Sequence, residues 1–309
     1  MTISGLRNDF NERLAPLYLK EERAAFFNLL ASHFLNMNKA DVALNGQKEL
    51  EDRLLTMFLK ALDELLQEKP IQYITGSTEF YGLPFIVTED VLIPRPETEE
   101  LVDWILSDYS GFRVPGSGSQ VQSSKKLHSV TNNQQPITVL DIGTGSGCIA
   151  ISLAKNLPDA TVYALDISAK TLDIAKKNAK QNQTEVHFLQ ADILKTPVIL
   201  NGVKNLKFDI IVSNPPYVLE LEKQEMKNNV LKYEPSQALF VTDDDPLVFY
   251  NAIAQFAKRS LQSGGRLYLE INQYLGAATV ALLEAAGFLE VELRKDLYGN
   301  DRMIKAKLT

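Results

Sequence analysis

Ile137-Thr138-Val139-Leu140-Asp141-Ile142-Gly143-Thr144-Gly145-Ser146-Gly147-Cys148-Ile149-Ala150 is the stretch whose reading decides the fold. Ile137 to Leu140 has the length and composition of a buried strand. The glycines after it permit a tight turn and let a ligand reach the backbone, with a helix N-terminus behind them. Their G-x-G-x-G spacing differs from the G-x-G-x-x-G of dinucleotide-binding loops. A strand, a glycine loop and a helix in that order predict an open α/β sheet. Further strands are expected at Thr161 to Leu165, Glu185 to Leu189, Phe208 to Val212 and Arg266 to Ile271. Helical patterns at about 148–156, 168–182, 245–262 and 274–286 alternate with them. Leu289 to Leu293 and Met303 to Leu308 are separated by only a short turn-rich link, so they are expected as an antiparallel pair at the sheet edge.

In open α/β sheets, ligands bind outside the carboxyl ends of the strands. Asp166 ends the second strand, about 20 residues beyond the glycines, where such folds hold a ribose. Its plainer reading is a cap on the helix starting near Ser168, and the two roles are compatible. Asp192 ends the third strand and is suited to an adenine amine, with Ile193 against the ring. Asn214-Pro215-Pro216-Tyr217 ends the fourth. Two prolines stop the ladder and stiffen the turn. The asparagine oxygen and a proline carbonyl are two acceptors suited to a planar –NH2 group. The tyrosine ring offers a face for a flat substrate. Cys148 reads as a small packed side chain, since nothing resembling a partnering base is near it.

Outside the sheet, residues 1–69 read as a small helical bundle. Phe26, Leu29, Leu30, His33 and Phe34 fall on one face; Leu50, Leu54, Leu55, Phe58, Leu62 and Leu65 fall on another. Residues 70–94 read as short β-like pieces, Gln72 to Gly76 leading into a hairpin over Phe80 to Val87. In Ile93-Pro94-Arg95-Pro96-Glu97-Thr98-Glu99-Glu100, prolines hold Arg95 extended and Thr98 or Glu97 starts a helix. This segment is either a linker or a lid. Residues 109–136, rich in Ser, Gly, Asn and Gln, read as a flexible insertion. The chain of 309 residues is 45% hydrophobic and 23% charged, an ordinary globular balance. A single cysteine excludes an internal disulfide, and three scattered histidines form no metal-ligand cluster. No secretory signal or bilayer-spanning apolar run is read from the chain. A net charge of −7 argues against a large nucleic-acid footprint.

Taken together, these stretches resemble the class I S-adenosylmethionine-dependent methyltransferases. Within that class the chain is similar to the protein-glutamine methyltransferases of peptide chain release factors, the PrmC/HemK family. The resemblance rests on Pro70 to Gly76, Leu92 to Glu99, Asp141 to Gly147, Asn214 to Tyr217, and Tyr233-Glu234-Pro235 with Ala238-Leu239. The Ile-Pro-Arg-Pro-Glu-Thr-Glu stretch combined with Asn-Pro-Pro-Tyr is highly specific; Asn-Pro-Pro-Tyr alone also occurs in DNA adenine methyltransferases. Glu270-Ile271-Asn272-Gln273 lacks the glycine expected after the glutamate, and no site is placed there.

The resemblance implies a Rossmann-like, seven-stranded, mostly parallel sheet in residues 95–309. It implies a helical substrate-docking domain at 1–69 and a β-hairpin linker at 70–94. By the same resemblance, Gly143, Thr144, Gly145, Ser146 and Gly147 wrap the methionine part of S-adenosylmethionine. Asp166 binds the ribose and Ile193 lies by the adenine. Asn214 touches cofactor and substrate, and Asn214, Pro215, Pro216 and Tyr217 hold a glutamine side chain. Asn214, Pro215 and Tyr217 are the expected catalytic set, with no metal. The implied reaction is N5 methylation of the glutamine in the Gly-Gly-Gln segment of a release factor, in the cytoplasm, by a monomer that binds neither membrane nor nucleic acid. The alternatives are an adenine-N6 methyltransferase of DNA or RNA and a ribosomal-protein glutamine methyltransferase.

Overall fold

The structure, a computed structural model, describes residues 1–109, 136–195 and 206–309. The insertion expected at 109–136 therefore lies, but for its two end residues, outside the described residues. The described residues form two compact units. One gathers Met1–Ser77, Val87–Glu89 and Glu225–Glu234; the other gathers Thr78–Ile86, Asp90–Gln224 and Pro235–Thr309.

The smaller unit is helical: α1 (Ile3–Arg13), α2 (Lys20–Leu35), α3 (Lys39–Leu44), α4 (Asp52–Leu66) and α5 (Ile71–Thr75), joined later in the chain by α9 (Asn228–Tyr233). Side-chain oxygens cap the helices where the sequence supplies them. Thr2 Oγ1 accepts from Gly5 N, and Asn38 Oδ1 accepts from Ala40 N and Asp41 N. Phe10, Phe27 and Phe58 meet at its centre, Phe10 edge-on to both. On α2 the buried face runs through Phe27, Leu30 and Ala31, whereas Leu29 is 50% exposed. Tyr233 donates its hydroxyl to the Gln67 carbonyl at 2.9 Å. Gln72 to Thr75, expected as β-like, is the helical turn α5 instead. Pro70 starts that turn with a compatible φ. The Thr75 hydroxyl donates to Ile71 O, and Gly76 ends the turn at φ +69°.

The larger unit opens with the hairpin β1 (Ser77–Phe80) and β2 (Leu83–Ile86), turned by Tyr81 and Gly82, both at positive φ. Helix α6 (Pro96–Tyr109) follows. Then come β3 (Thr138–Ile142), α7 (Cys148–Asn156), β4 (Thr161–Asp166), α8 (Ala169–Gln181), β5 (His187–Gln190), β6 (Phe208–Ser213) and β7 (Val218–Leu219). A 3-10 turn (Glu220–Glu225) leads on to α10 (Ser236–Leu239), β8 (Phe240–Val241), α11 (Val248–Ser260), β9 (Leu261–Glu270), α12 (Gly276–Ala285), β10 (Leu289–Lys295) and β11 (Asp301–Lys307). The sheet has seven strands in the order β10-β11-β9-β6-β3-β4-β5. Strands β9, β6, β3, β4 and β5 run parallel; β11 is antiparallel to both β9 and β10. This is the mostly parallel sheet with an antiparallel edge that the sequence predicts.

The strands are apolar throughout because both faces are covered. Val139, Val162, Ala164, Ile210 and Val212 pack with α6 and α7, together with Phe80 and Phe85 of the hairpin. Leu140, Ile142, Leu165, Ile211, Leu267 and Leu269 pack with α11 and α12. Strand β10 carries Glu290, Glu292, Arg294 and Lys295 along the exposed edge, a charge pattern that discourages edge-to-edge pairing. Among the described residues, no helix is long and apolar enough to cross a membrane.

Candidate active site

Register aligns the carboxyl ends of five strands. Ile142 pairs with both Leu165 and Ser213, Ser213 pairs with Leu269, and Asp166 pairs with Gln190. One position further along, Gln190, Asp166, Gly143, Asn214 and Glu270 form a single row. At one strand spacing per step, the row is about 19 Å long.

At the middle of the row, the glycine loop folds back on β4. Gly143 N and Thr144 N both donate to Leu165 O, at 2.8 and 3.0 Å. Gly145 N donates to Asp166 Oδ2 at 3.0 Å. Gly143, Gly145 and Gly147 all have positive φ, a region that favours residues without a Cβ. Beneath the loop lies Asp141, fully buried. Its Oδ2 accepts from the Thr144 hydroxyl at 2.6 Å and from Ala150 N at 3.2 Å, while Oδ1 has no partner among the described residues. Burial pushes its pKa up to about 7. Ser146 is buried behind the loop. The Cys148 thiol is pushed up to about 12 by burial, as suits a packed rather than a reactive cysteine.

Asp166 is largely buried, and it is not the cap of the helix that follows. Ser168 is the cap of α8, accepting from Thr171 N, and Asp166 Oδ1 accepts from Ser168 N at 2.9 Å. Burial raises the Asp166 pKa, against the backbone donors of Ser168, Gly145 and Ile167, which lower it. The turn after β5 is tied to the same strand end by Ala191 N donating to Asp166 O. It brings half-buried Ile193 against the core, while Asp192 Oδ1 accepts from Leu194 N.

Next to the glycine loop in the row stands Asn214-Pro215-Pro216-Tyr217. Pro215 is buried; Asn214, Pro216 and Tyr217 are half-buried. Asn214 Nδ2 donates to Thr98 Oγ1 at 3.2 Å, and Asn214 Oδ1 has no hydrogen-bond partner among the described residues. The Tyr217 hydroxyl donates to Glu270 Oε1 at 2.9 Å, and the Tyr217 carbonyl accepts from Asn272 Nδ2 at 3.0 Å. The turn is thus fixed by its amide at one end and by its ring at the other.

Two residues here escaped sequence reasoning. Thr98, expected to start a helix, lies inside the first turn of α6, which begins at Pro96 because proline needs no N–H partner there. Its hydroxyl donates instead to Glu270 Oε2 at 2.7 Å. Glu270 is 1% exposed and central to the site, although no site was placed on its segment. Burial raises its pKa, while Thr98, Tyr217 and Arg302 pull it back down. The signal was available: a lone carboxylate closing the apolar run Leu267-Tyr268-Leu269 at the ligand-binding edge of a parallel strand.

A glycine loop beside a strand-end carboxylate is the arrangement with which open α/β sheets hold nucleoside-bearing ligands. A Cβ built on Gly145 meets nothing within 4 Å, and one on Gly143 meets only the Asn214 carbonyl at 4.0 Å.

Comparison with known proteins agrees with this geometry. The "Methyltransferase small domain" family model matches residues 119–238, and the "PrmC N-terminal domain" model matches residues 6–76. A release factor glutamine methyltransferase of Flavobacterium psychrophilum is 47% identical over 99% of this chain and 99% of its own. One of Bacteroides thetaiotaomicron is 40% identical over 96% of each. The solved T. thermophilus 16S rRNA N2 G1207 methyltransferase in complex with AdoMet and guanosine aligns with a TM-score of 0.50 at 19% identity, over 75% of this chain and 50% of that one. At that identity the likeness speaks for the fold. On the two full-length relatives and the two family models, the chain belongs to the release factor glutamine methyltransferase family.

Proposed function

We propose that the protein transfers the methyl group of S-adenosylmethionine to the side-chain amide nitrogen (N5) of the glutamine in the Gly-Gly-Gln segment of peptide chain release factors. The observation that carries this reading is the state of the turn after β6. Asn214 has its NH2 group committed to Thr98, while among the described residues Oδ1 and the Pro215 carbonyl accept no hydrogen bond, and the Asn214 backbone carbonyl is the one atom within 4.0 Å of a Cβ built on Gly143.

Gly143, Thr144, Gly145, Ser146 and Gly147 would wrap the amino-acid end of the cofactor. The Asp166 carboxylate would accept from the ribose hydroxyls, and Ile193 would hold the adenine. When bound, S-adenosylmethionine supplies a sulfonium methyl group made electrophilic by its own charge. A carboxamide nitrogen is a weak nucleophile, because its lone pair is delocalised into the carbonyl. Asn214 Oδ1 and the Pro215 carbonyl accept its two hydrogens, draw electron density toward the nitrogen and fix its direction. Pro216 keeps the turn stiff, and the Tyr217 ring, held by its hydroxyl, provides a wall for the flat group. No side-chain base is assigned; the nitrogen sheds one proton to water. The helical unit docks the substrate protein. The enzyme works in the cytoplasm as a monomer, without metal, membrane or nucleic acid.

The test is incubation with methyl-labelled S-adenosylmethionine and, separately, a release factor, a ribosomal-protein preparation and duplex DNA. Label on the release-factor glutamine, located by tandem mass spectrometry, supports the reading. Label on DNA or on ribosomal protein, with none on the release factor, overturns it.

A further inference from the structure

Which end of the Asn214 carboxamide faces the substrate decides whether the site works. An oxygen there accepts from a glutamine NH2, whereas a nitrogen repels it. Nothing about asparagine itself fixes that choice, since its two ends have nearly the same shape.

The choice is made by a relay of hydrogen bonds. It runs from the Tyr217 hydroxyl to Glu270 Oε1, and from Glu270 Oε2 through the Thr98 hydroxyl to the Asn214 amide, at 2.9, 2.7 and 3.2 Å. A carboxylate only accepts, so Thr98 must spend its single proton on Glu270. Thr98 Oγ1 is then left as an acceptor, and only the NH2 end of Asn214 satisfies it. The oxygen end is thereby turned the other way. Burial raises the Glu270 pKa, and the hydroxyls of Thr98 and Tyr217 and the charge of Arg302 oppose it by favouring the ionised carboxylate, which is 1% exposed. Asn272 fixes the same turn from the side by donating to the Tyr217 carbonyl.

We propose that Glu270 is a positioning residue for methyl transfer, which acts through Thr98 to hold the Asn214 oxygen toward the substrate. The proposal rests on the function given above and adds a residue to it.

Glu270→Gln tests it, because a carboxamide has nearly the same shape but a different polarity. The Tyr217 hydroxyl has no other acceptor among the described residues, so the new oxygen faces Tyr217 and the new NH2 faces Thr98. Thr98 then accepts from the glutamine and donates its proton to Asn214. The Asn214 oxygen turns inward and its NH2 turns out toward the substrate. Every group keeps a partner, so the fold survives while the polarity of the site reverses.

The expected result is a fall in kcat on release factor on the order of a hundredfold, with S-adenosylmethionine affinity within about threefold of parental. Thr98→Val frees Asn214 without reversing it, and should cost about tenfold. Thr98→Ser, which restores the hydroxyl, should recover that loss. The double variant Glu270→Gln/Thr98→Val should match Thr98→Val, so the second substitution recovers activity lost to the first. Losses that multiply in the double variant, or a Glu270→Gln enzyme with parental kcat, overturn the proposal.

A readout independent of any substrate separates this proposal from the functional reading. Hydrogen exchange of the Asn214 side-chain NH2, followed by NMR, should be slow in the parental protein and faster in Glu270→Gln. Equal exchange overturns the relay even where methylation is absent. Faster exchange in Glu270→Gln than in a parental protein that methylates no release factor upholds the relay and rejects the function.

Discussion

Gly145 and Gly147 stand two residues apart at φ +56° and +84°, yet alanine at each should do different damage. A non-glycine residue held in the left-handed region costs about 1–2 kcal/mol, and both variants carry that cost. They differ in what the new methyl meets. At Gly145 nothing lies within 4 Å; at Gly147 the Cβ would stand 2.9 Å from Ile151 Cδ1 and 3.2 Å from Ala175 Cβ. Ile151 and Ala175 are fully buried, on α7 and α8, so neither swings into solvent. Overpacking of that kind adds about 1–3 kcal/mol. Gly145→Ala should therefore destabilise by about 1–2 kcal/mol and Gly147→Ala by about 2–5 kcal/mol. Ligand binding should reverse the order. The Gly145 methyl enters the space assigned to the cofactor, and affinity for S-adenosylmethionine should fall at least about tenfold among molecules that remain folded. Urea denaturation gives the first ranking, and calorimetric titration at a temperature where both variants are folded gives the second. Equal destabilisation of the two, or weakened cofactor binding in Gly147→Ala alone, would refute the reasoning.

Two further outcomes follow from the carboxylates at the same edge. Asp166→Ala should weaken S-adenosylmethionine binding by about 1.5–3 kcal/mol, the worth of a charge-assisted hydrogen bond, and unchanged affinity by calorimetry rejects the ribose assignment. Because the Asp166 pKa is raised, parental affinity should start to fall on acidification above the ordinary aspartate range. Asp141 is raised from 3.8 to about 7, so the folded state holds its proton more tightly than the unfolded chain does. Its contribution to stability is present below pH 4 and is lost as pH rises to about 7, by roughly 4 kcal/mol at most. Asp141→Asn has no proton to lose, so its urea midpoint should fall less than the parental one between pH 4 and pH 8; identical shifts would contradict this.

The sheet was legible because a parallel strand covered on both faces must be apolar throughout, and those runs stand out. Their ends were less legible. Asp166, Gln190 and Ser213 continue their strands beyond the apolar residues; Ser213 and Asp166 are buried there because Ser213 Oγ donates to Ile142 O and the Asp166 carboxylate accepts from Gly145 N and Ser168 N. Strand β9 starts at Leu261, although Gln262-Ser263-Gly264-Gly265 reads like a turn; a register shift against β6 between Phe208 and Ile210 accommodates it. Gln72 to Thr75 looked β-like by composition, but the flanking Pro70 and Gly76 set the local outcome. In the candidate site, the glycine loop, Asp166 and the Asn214 turn could be located because each closes or directly follows a strand. The pairing of Thr98 with Glu270 could not. The two are 172 residues apart, and only the packing of α6 on the face of the sheet brings them together.

The central claim is that Asn214 and the Pro215 carbonyl orient a carboxamide nitrogen for methyl transfer. Its most direct measurement is the single-turnover rate of Asn214→Ala on release factor at saturating S-adenosylmethionine, with the thermal melt recorded on the same sample. The account predicts a rate lower by on the order of a hundredfold or more with the melt unchanged. A parental rate from that variant would contradict it.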